Sequence, residues 1–106
     1  STPGYREQFS FVTARAVARL NVLCEYCLPF ARVGGQFVAM KTDRVREELD
    51  GATRAIELLG GKVSKVETLV LPEEMGGRSV IRIDKVSETP GKYPRKPGIP
   101  AKKPLV

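Results

Sequence analysis

Apolar positions along the chain change their period several times, and each change marks an element. Phe9 to Ala14 reads FSFVTA, a short apolar stretch rich in strand formers. Val17, Leu20, Cys24 and Cys27 follow at the spacing that gathers side chains on one face of a helix. Asn21 is a candidate N-cap if Arg15 to Leu20 is partly loop, and Pro29 with the pair Gly34-Gly35 marks the end of that helix. Gln36 to Met40 (QFVAM) is nearly continuous in apolar residues, as in a parallel strand covered on both faces, and Lys41 closes it with a charge. Thr42 or Asp43 then caps a second helix, on which Val45, Leu49, Ala52, Ile56 and Leu59 form one apolar face until Gly60-Gly61 stops it.

The order strand, helix, strand, helix predicts an α/β fold with parallel strands joined by right-handed crossovers. The pattern then becomes that of a hairpin. Lys62 to Leu71 and Arg78 to Val86 are strand-like, Ile81 and Ile83 alternate with Arg82 and Asp84, and Pro72 to Gly77 supplies turn residues between them. Five of the eight prolines fall between Pro90 and Pro104, which excludes a regular helix or central strand there and predicts an extended tail. The expected organisation is one folded unit over 1–86 and a Pro/Lys/Arg-rich tail over 87–106. Nothing before Phe9 resembles the strand, Gly-rich turn and helix that open a doubly wound nucleotide-binding domain, so the chain reads as the second half of one.

Charge sharpens the reading of the tail. Of 18 basic and 12 acidic residues, five basic and one acidic lie in the tail, so most of the net +6 sits there. A concentrated basic segment points to a polyanionic partner, nucleic acid being the commonest; the plainer reading is a solvated tail that aids solubility. No apolar run is long enough to span a bilayer and no signal sequence is evident, so a soluble, cytoplasmic protein is expected. Cys24 and Cys27 form a lone C-x-x-C in a chain without His, too few ligands for an ordinary zinc site; two buried free thiols are the simpler expectation. Without His, Ser-His and Cys-His nucleophilic mechanisms are excluded as well. Any chemistry has to come from a cofactor or another segment.

Four segments carry a resemblance to a known family: VTARAVARL (Val12 to Leu20), GGQFVAMK (Gly34 to Lys41), LGGK (Leu59 to Lys62) and KYPRKPGIPAKKPL (Lys92 to Leu105). In these the chain resembles the C-terminal half of the ribosomal RNA small subunit methyltransferase G family, also called glucose-inhibited division protein B. The resemblance implies a Rossmann-like class I methyltransferase fold in which a reversed strand is inserted beside a parallel one. It also implies methyl transfer from S-adenosylmethionine to N7 of a guanine in 16S ribosomal RNA, with the small ribosomal subunit as partner. The family's Gly-rich cofactor loop and ribose-contacting acid belong to an N-terminal half absent from this sequence, so the chain alone is expected to be inactive.

Ligands of open α/β sheets gather beyond the carboxyl ends of the parallel strands. Thr13, Ala14 and Arg15 close the first strand, and Lys41 closes the second, so all four are rim candidates. The resemblance implies a cofactor-site role for the Arg of T-A-R-A, which is Arg15, and extends to its neighbours Ala14 and Thr13; the alternative is an Arg that snorkels to solvent. Lys41 is a candidate RNA or cofactor contact, or merely a charge that ends a buried strand. Arg78, after a Gly-rich turn where the resembled family tends to carry a basic residue, is a candidate phosphate contact. In the tail Lys92, Arg95, Lys96, Lys102 and Lys103 are interleaved with Tyr93 and prolines, which offers phosphate-neutralising charge and one ring able to stack on a base. Against that stands a tail that packs back on its own domain through Tyr93, Ile99 and Leu105. Two other functional classes compete with the methyltransferase: an RNA-binding module without catalysis, and a non-catalytic interaction domain that offers its second helix to a partner.

Overall fold

The computed structural model describes residues 6–15, 19–41, 45–69 and 78–105. Strand β1 (Phe9–Arg15) leads to helix α1 (Leu20–Cys27), a one-turn 3-10 segment at Leu28–Phe30, strand β2 (Ala31–Lys41) and helix α2 (Val45–Leu58). Strands β3 (Gly61–Leu69) and β4 (Arg78–Lys85) and a single turn α3 (Ile99–Lys102) complete the order. The sheet runs β1-β2-β4-β3. β1 and β2 are parallel, and β4 pairs antiparallel with both β2 and β3, so a reversed strand separates two that run the same way.

Alternation along the strands decides which face is covered. Val12 pairs with Phe37 and Phe37 with Ile83, while Ala14 pairs with Ala39 and Ala39 with Ile81. These residues join Leu20, Leu23, Cys24 and Leu28 of the first helical segment and Ala52, Ile56 and Leu59 in and after the second, in one core. The predicted apolar face of α2 is therefore the buried one at Ala52, Ile56 and Leu59, with Leu49 half-buried; the side chain of Val45 and the expected caps Thr42 and Asp43 lie outside the described residues. The opposite sheet face carries Phe11 opposite Gln36, Thr13 opposite Val38 and Val80 opposite Met40. Among the described residues this face is covered only in part: Val38 is buried, but Phe11 is 55% and Met40 42% exposed.

Three local expectations are corrected. Asn21 does not cap α1; it sits inside the helix, and the helix starts after Arg19. Gly34-Gly35 does not terminate the helix: β2 already begins at Ala31, and the pair forms an irregularity between the partners Phe9–Ala31 and Phe11–Gln36. Glycine is required there because Gly34 has φ +90° and a Cβ on Gly35 would lie 2.9 Å from the Ser10 carbonyl oxygen. The prolines of the tail do not exclude all helix, since α3 forms with Pro100 in its first turn, where a missing N–H costs no internal hydrogen bond. The predicted hairpin is present as β3 and β4, while its linker Pro72 to Gly77 lies outside the described residues.

Candidate cofactor rim and basic tail

The carboxyl ends of β1 and β2 lie side by side, with Ala14 opposite Ala39 and Arg15 opposite Met40. Thr13 is exposed on the open face, and Ala14 is half-buried against the core. The backbone of Arg15 thus ends its strand on the same rim as Lys41; its side chain, like that of Arg78 at the start of β4, lies outside the described residues.

Lys41 takes a different place from the one its sequence position suggests. Its side chain is buried and its Nζ lies 2.7 Å from Oε1 of Glu48. The same carboxylate oxygen accepts a hydrogen bond from the Leu20 N–H at 2.8 Å. An acid from the first turn of α2 thereby satisfies one of the unpaired donors that begin α1, and Lys41 balances its charge. The ammonium is thus engaged inside the rim, where it sets the relative positions of β2, α1 and α2. Sequence reasoning missed Glu48, although an acidic pair in the first turn of a predicted helix was a usable signal.

At the other end of the sheet the chain is tied by a second cation. Lys85 is 1% exposed, and its ammonium donates to the carbonyls of Leu28 at 2.8 Å and Ala31 at 2.7 Å. It also lies 3.0 Å from Oε2 of Glu7. Burial pushes the Lys85 pKa down, and the nearby Glu7 carboxylate restores it only in part. Burial pushes Glu7 up, but the Thr89 N–H and Lys85 outweigh it and leave the carboxyl below its ordinary value. Arg6 donates to the carbonyls of Thr89, Pro90 and Tyr93 at 2.8–3.1 Å, fixing the start of the tail.

From that anchor the tail returns along α1. Tyr93, expected as a base-stacking ring or as an anchor on the domain, packs in the core with 6% exposure. Arg95, a candidate phosphate contact, grips the fully buried Glu25, its Nη2 at 2.7 Å from Oε1 and its Nε at 2.9 Å from Oε2. The Arg95 N–H adds a third bond to Oε2 at 2.8 Å. Burial pushes the Glu25 carboxyl up, yet these bonds from Arg95 hold it below the usual range. Gly98 donates to the Tyr26 hydroxyl at 3.3 Å, and Asn21 donates to the Leu105 carbonyl at 2.7 Å. Lys92, Lys96, Lys102 and Lys103 stay exposed, with the Lys92 ammonium 5.3 Å from the Tyr93 ring centre. Ile99, the third expected anchor, is 36% exposed, whereas Pro100 is buried. Cys24 and Cys27 are free thiols; burial pushes Cys27 up to about 11 and Cys24 further, so both are protonated at neutral pH.

A sheet in which one reversed strand separates two of common direction, with helices on one face and a rim at the parallel carboxyl ends, is the later part of a class I methyltransferase fold. An rRNA methylase from Streptococcus thermophilus has a similar arrangement, with a TM-score of 0.52 at 13% identity over 77% of this chain and 49% of that one. Within that class the chain belongs to the rRNA small subunit methyltransferase G family, whose model matches residues 2–75. It is 59% identical to ribosomal RNA small subunit methyltransferase G of Brevibacillus brevis and 55% identical to that of Exiguobacterium sp., in each case over 96% of this chain. The protein of the same name from Limosilactobacillus fermentum is 60% identical. The chain spans 43% of the length of the first two relatives and 42% of the third. No helix among the described residues is long and apolar enough to cross a membrane.

Proposed function

We propose that this chain is the C-terminal portion of an enzyme that methylates N7 of a guanine in 16S ribosomal RNA with S-adenosylmethionine, and that it is inactive without the portion its relatives carry before it. The observation that carries this reading is the parallel rim of β1 and β2, with Thr13, Ala14 and Arg15 at the end of β1 and the Lys41–Glu48 pair beside them. Its residues fit one wall of a cofactor site. Ala14 is small, the exposed Thr13 offers a hydroxyl, and among the described residues β1 is an edge strand of the sheet. Thr13, Ala14 and Arg15 are assigned to that wall, and a guanidinium at Arg15 suits a carboxylate or phosphate. The exposed Phe11 and Met40 support a covering N-terminal portion, since large apolar side chains gathered on one sheet face suit contact with another segment.

S-adenosylmethionine, when bound, supplies a sulfonium methyl. Guanine N7 carries a free lone pair, so the protein's task is to align the two reactants and no base is needed to remove a proton. A chain without His suits that requirement. Lys92 and Lys96 are assigned to RNA phosphates, as is Arg78 from its place at the start of β4; Tyr93, Arg95 and Lys41 are assigned to holding the fold.

The test is transfer of labelled methyl to unmethylated small subunits by this chain and by a form extended with the N-terminal portion. Label on guanine N7 with the long form alone is expected. No transfer by a folded long form, with salt-sensitive RNA binding retained, would replace the enzyme with an RNA-binding module.

A further inference from the structure

The tail meets both ends of α1. Arg95 and Gly98 meet Glu25 and Tyr26 near the C-terminal end of the helix, Arg95 also donates to the Lys103 carbonyl at 2.7 Å, and Leu105 meets Asn21 in the first turn. The N-terminal end of α1 is also where Glu48 and Lys41 close the rim. The last residues of the tail therefore arrive beside the rim. Arg95 joins the two basic clusters, Lys92 and Lys96 on its own stretch and Lys102-Lys103 across the bond to the Lys103 carbonyl, while all four lysines remain exposed. Arg19, at the N-cap of α1, is a further exposed cation at the rim end of that helix.

We infer that the tail is a preformed basic track that guides an RNA backbone along α1 to the rim, and that Glu25 and Arg95 position it without touching the RNA. This rests on the rRNA reading above and goes beyond it by dividing the tail residues into contacts (Lys92, Lys96, Lys102, Lys103) and a latch (Glu25, Arg95). The physical argument is economy of ordering. A loose tail must lose conformational freedom on binding, whereas one already clamped by a buried carboxylate binds with that cost met in folding. A polyanion of phosphates fits the track better than an acidic peptide, because four exposed lysines held in fixed positions suit a regularly spaced backbone charge.

The experiment measures RNA affinity against salt for the protein extended with its N-terminal portion, with methyl transfer by the unaltered protein recorded in parallel. The probe is a fragment of unmethylated small-subunit rRNA. Lys102→Ala with Lys103→Ala is expected to flatten the salt slope by roughly one per lysine. Glu25→Gln is expected to weaken binding roughly ten-fold with the slope unchanged, the signature of lost preorganisation. Arg95→Gln should match it, and the double variant should be no worse than either single one.

An Arg95→Gln variant that flattens the slope, or a Glu25→Gln variant that binds as well or better, overturns the latch and returns Arg95 to direct contact. The exposed lysines keep the test open if the buried variant misfolds: an unchanged slope there, with methyl transfer intact, overturns the track and leaves the enzyme reading standing. An unaltered protein that neither binds nor methylates RNA overturns both. Equal affinity for polyglutamate of matched charge overturns the assignment to RNA.

Discussion

Replacing Lys85 with Met tests whether a buried ammonium holds the base of the sheet together. The substitution keeps most of the volume and removes the charge. It leaves the Leu28 and Ala31 carbonyls without the donor now at 2.8 and 2.7 Å, and deprives Glu7 of a cation at 3.0 Å. Two opposing effects decide the sign. Removing the ammonium relieves its desolvation, and where both partners of a buried ion pair are replaced by apolar groups the result is often neutral or better. Here the two carbonyls belong to the backbone and cannot be replaced. The Leu28 carbonyl keeps the Ala31 N–H, so the loss falls chiefly on the Ala31 carbonyl and on Glu7. At about 1–3 kcal/mol for a buried group that loses its donor, a net loss of roughly 2–4 kcal/mol is expected, with the higher figure if Glu7 also loses its place. The control is Lys65→Met, because Lys65 is 64% exposed and its 3.8 Å pair with Glu67 is loose. That change is expected to stay within about 0.5 kcal/mol. Urea denaturation of the N-terminally extended protein, followed by circular dichroism, gives both values. A Lys85→Met variant as stable as the Lys65→Met control would refute the view that those carbonyls depend on the ammonium.

The turn after α2 and the response to acid provide two further tests. Gly60 has φ +89°, and a Cβ there would collide with the Ser87 carbonyl, whose residue donates to the Gly60 carbonyl at 3.1 Å beside Val86 at 2.8 Å. Gly60→Ala is expected to lose about 2–4 kcal/mol from left-handed strain and weakened bonds, read by the same urea titration; an unchanged midpoint would show that the turn adapts. Glu7 and Glu25 both sit below the ordinary value of 4.5, so their stabilisation is fully present above that value and fades as pH falls through the lowered folded values. Urea midpoints should be level near neutrality and drop in acid, less steeply in Glu25→Gln; parallel curves for the two proteins would refute Glu25 as a contributor.

Much of the fold was legible because burial imposes period. The alternation of Ile81 and Ile83 against Arg82 and Asp84 gives the core and open faces of β4 directly, and Ala52, Ile56 and Leu59 give the buried face after β2. The errors came where one residue has two common uses. Gly34-Gly35 looks like a helix stop, but only the approach of Ser10 and Phe9 carbonyls reveals the strand irregularity that needs it. Asn21 looks like a cap, but its amide is committed to Leu105, 84 residues away. Contacts of that separation leave no local trace.

Lys41 and Glu25 show the same limit at the site. The sequence left Lys41 as a ligand contact or a strand-ending charge and did not pair it with Glu48 on the next helix, nor did it show the partner that Glu25 finds in Arg95 70 residues later. Binding a polyanion and packing back on the domain need not exclude each other. Tyr93, Pro100 and the Arg95 guanidinium turn inward, and the four lysines stay exposed for the proposed RNA contact, a division by residue. Proline makes that division stable. It fixes φ and stiffens the chain, so inward anchors only a few residues apart dictate where the intervening lysines point. A flexible tail of equal charge would need those directions set anew at each encounter. Replacing Pro94, Pro97 and Pro104 with Ala should therefore weaken RNA binding without changing its salt slope, and a flatter slope in that variant would show that the prolines do more than stiffen.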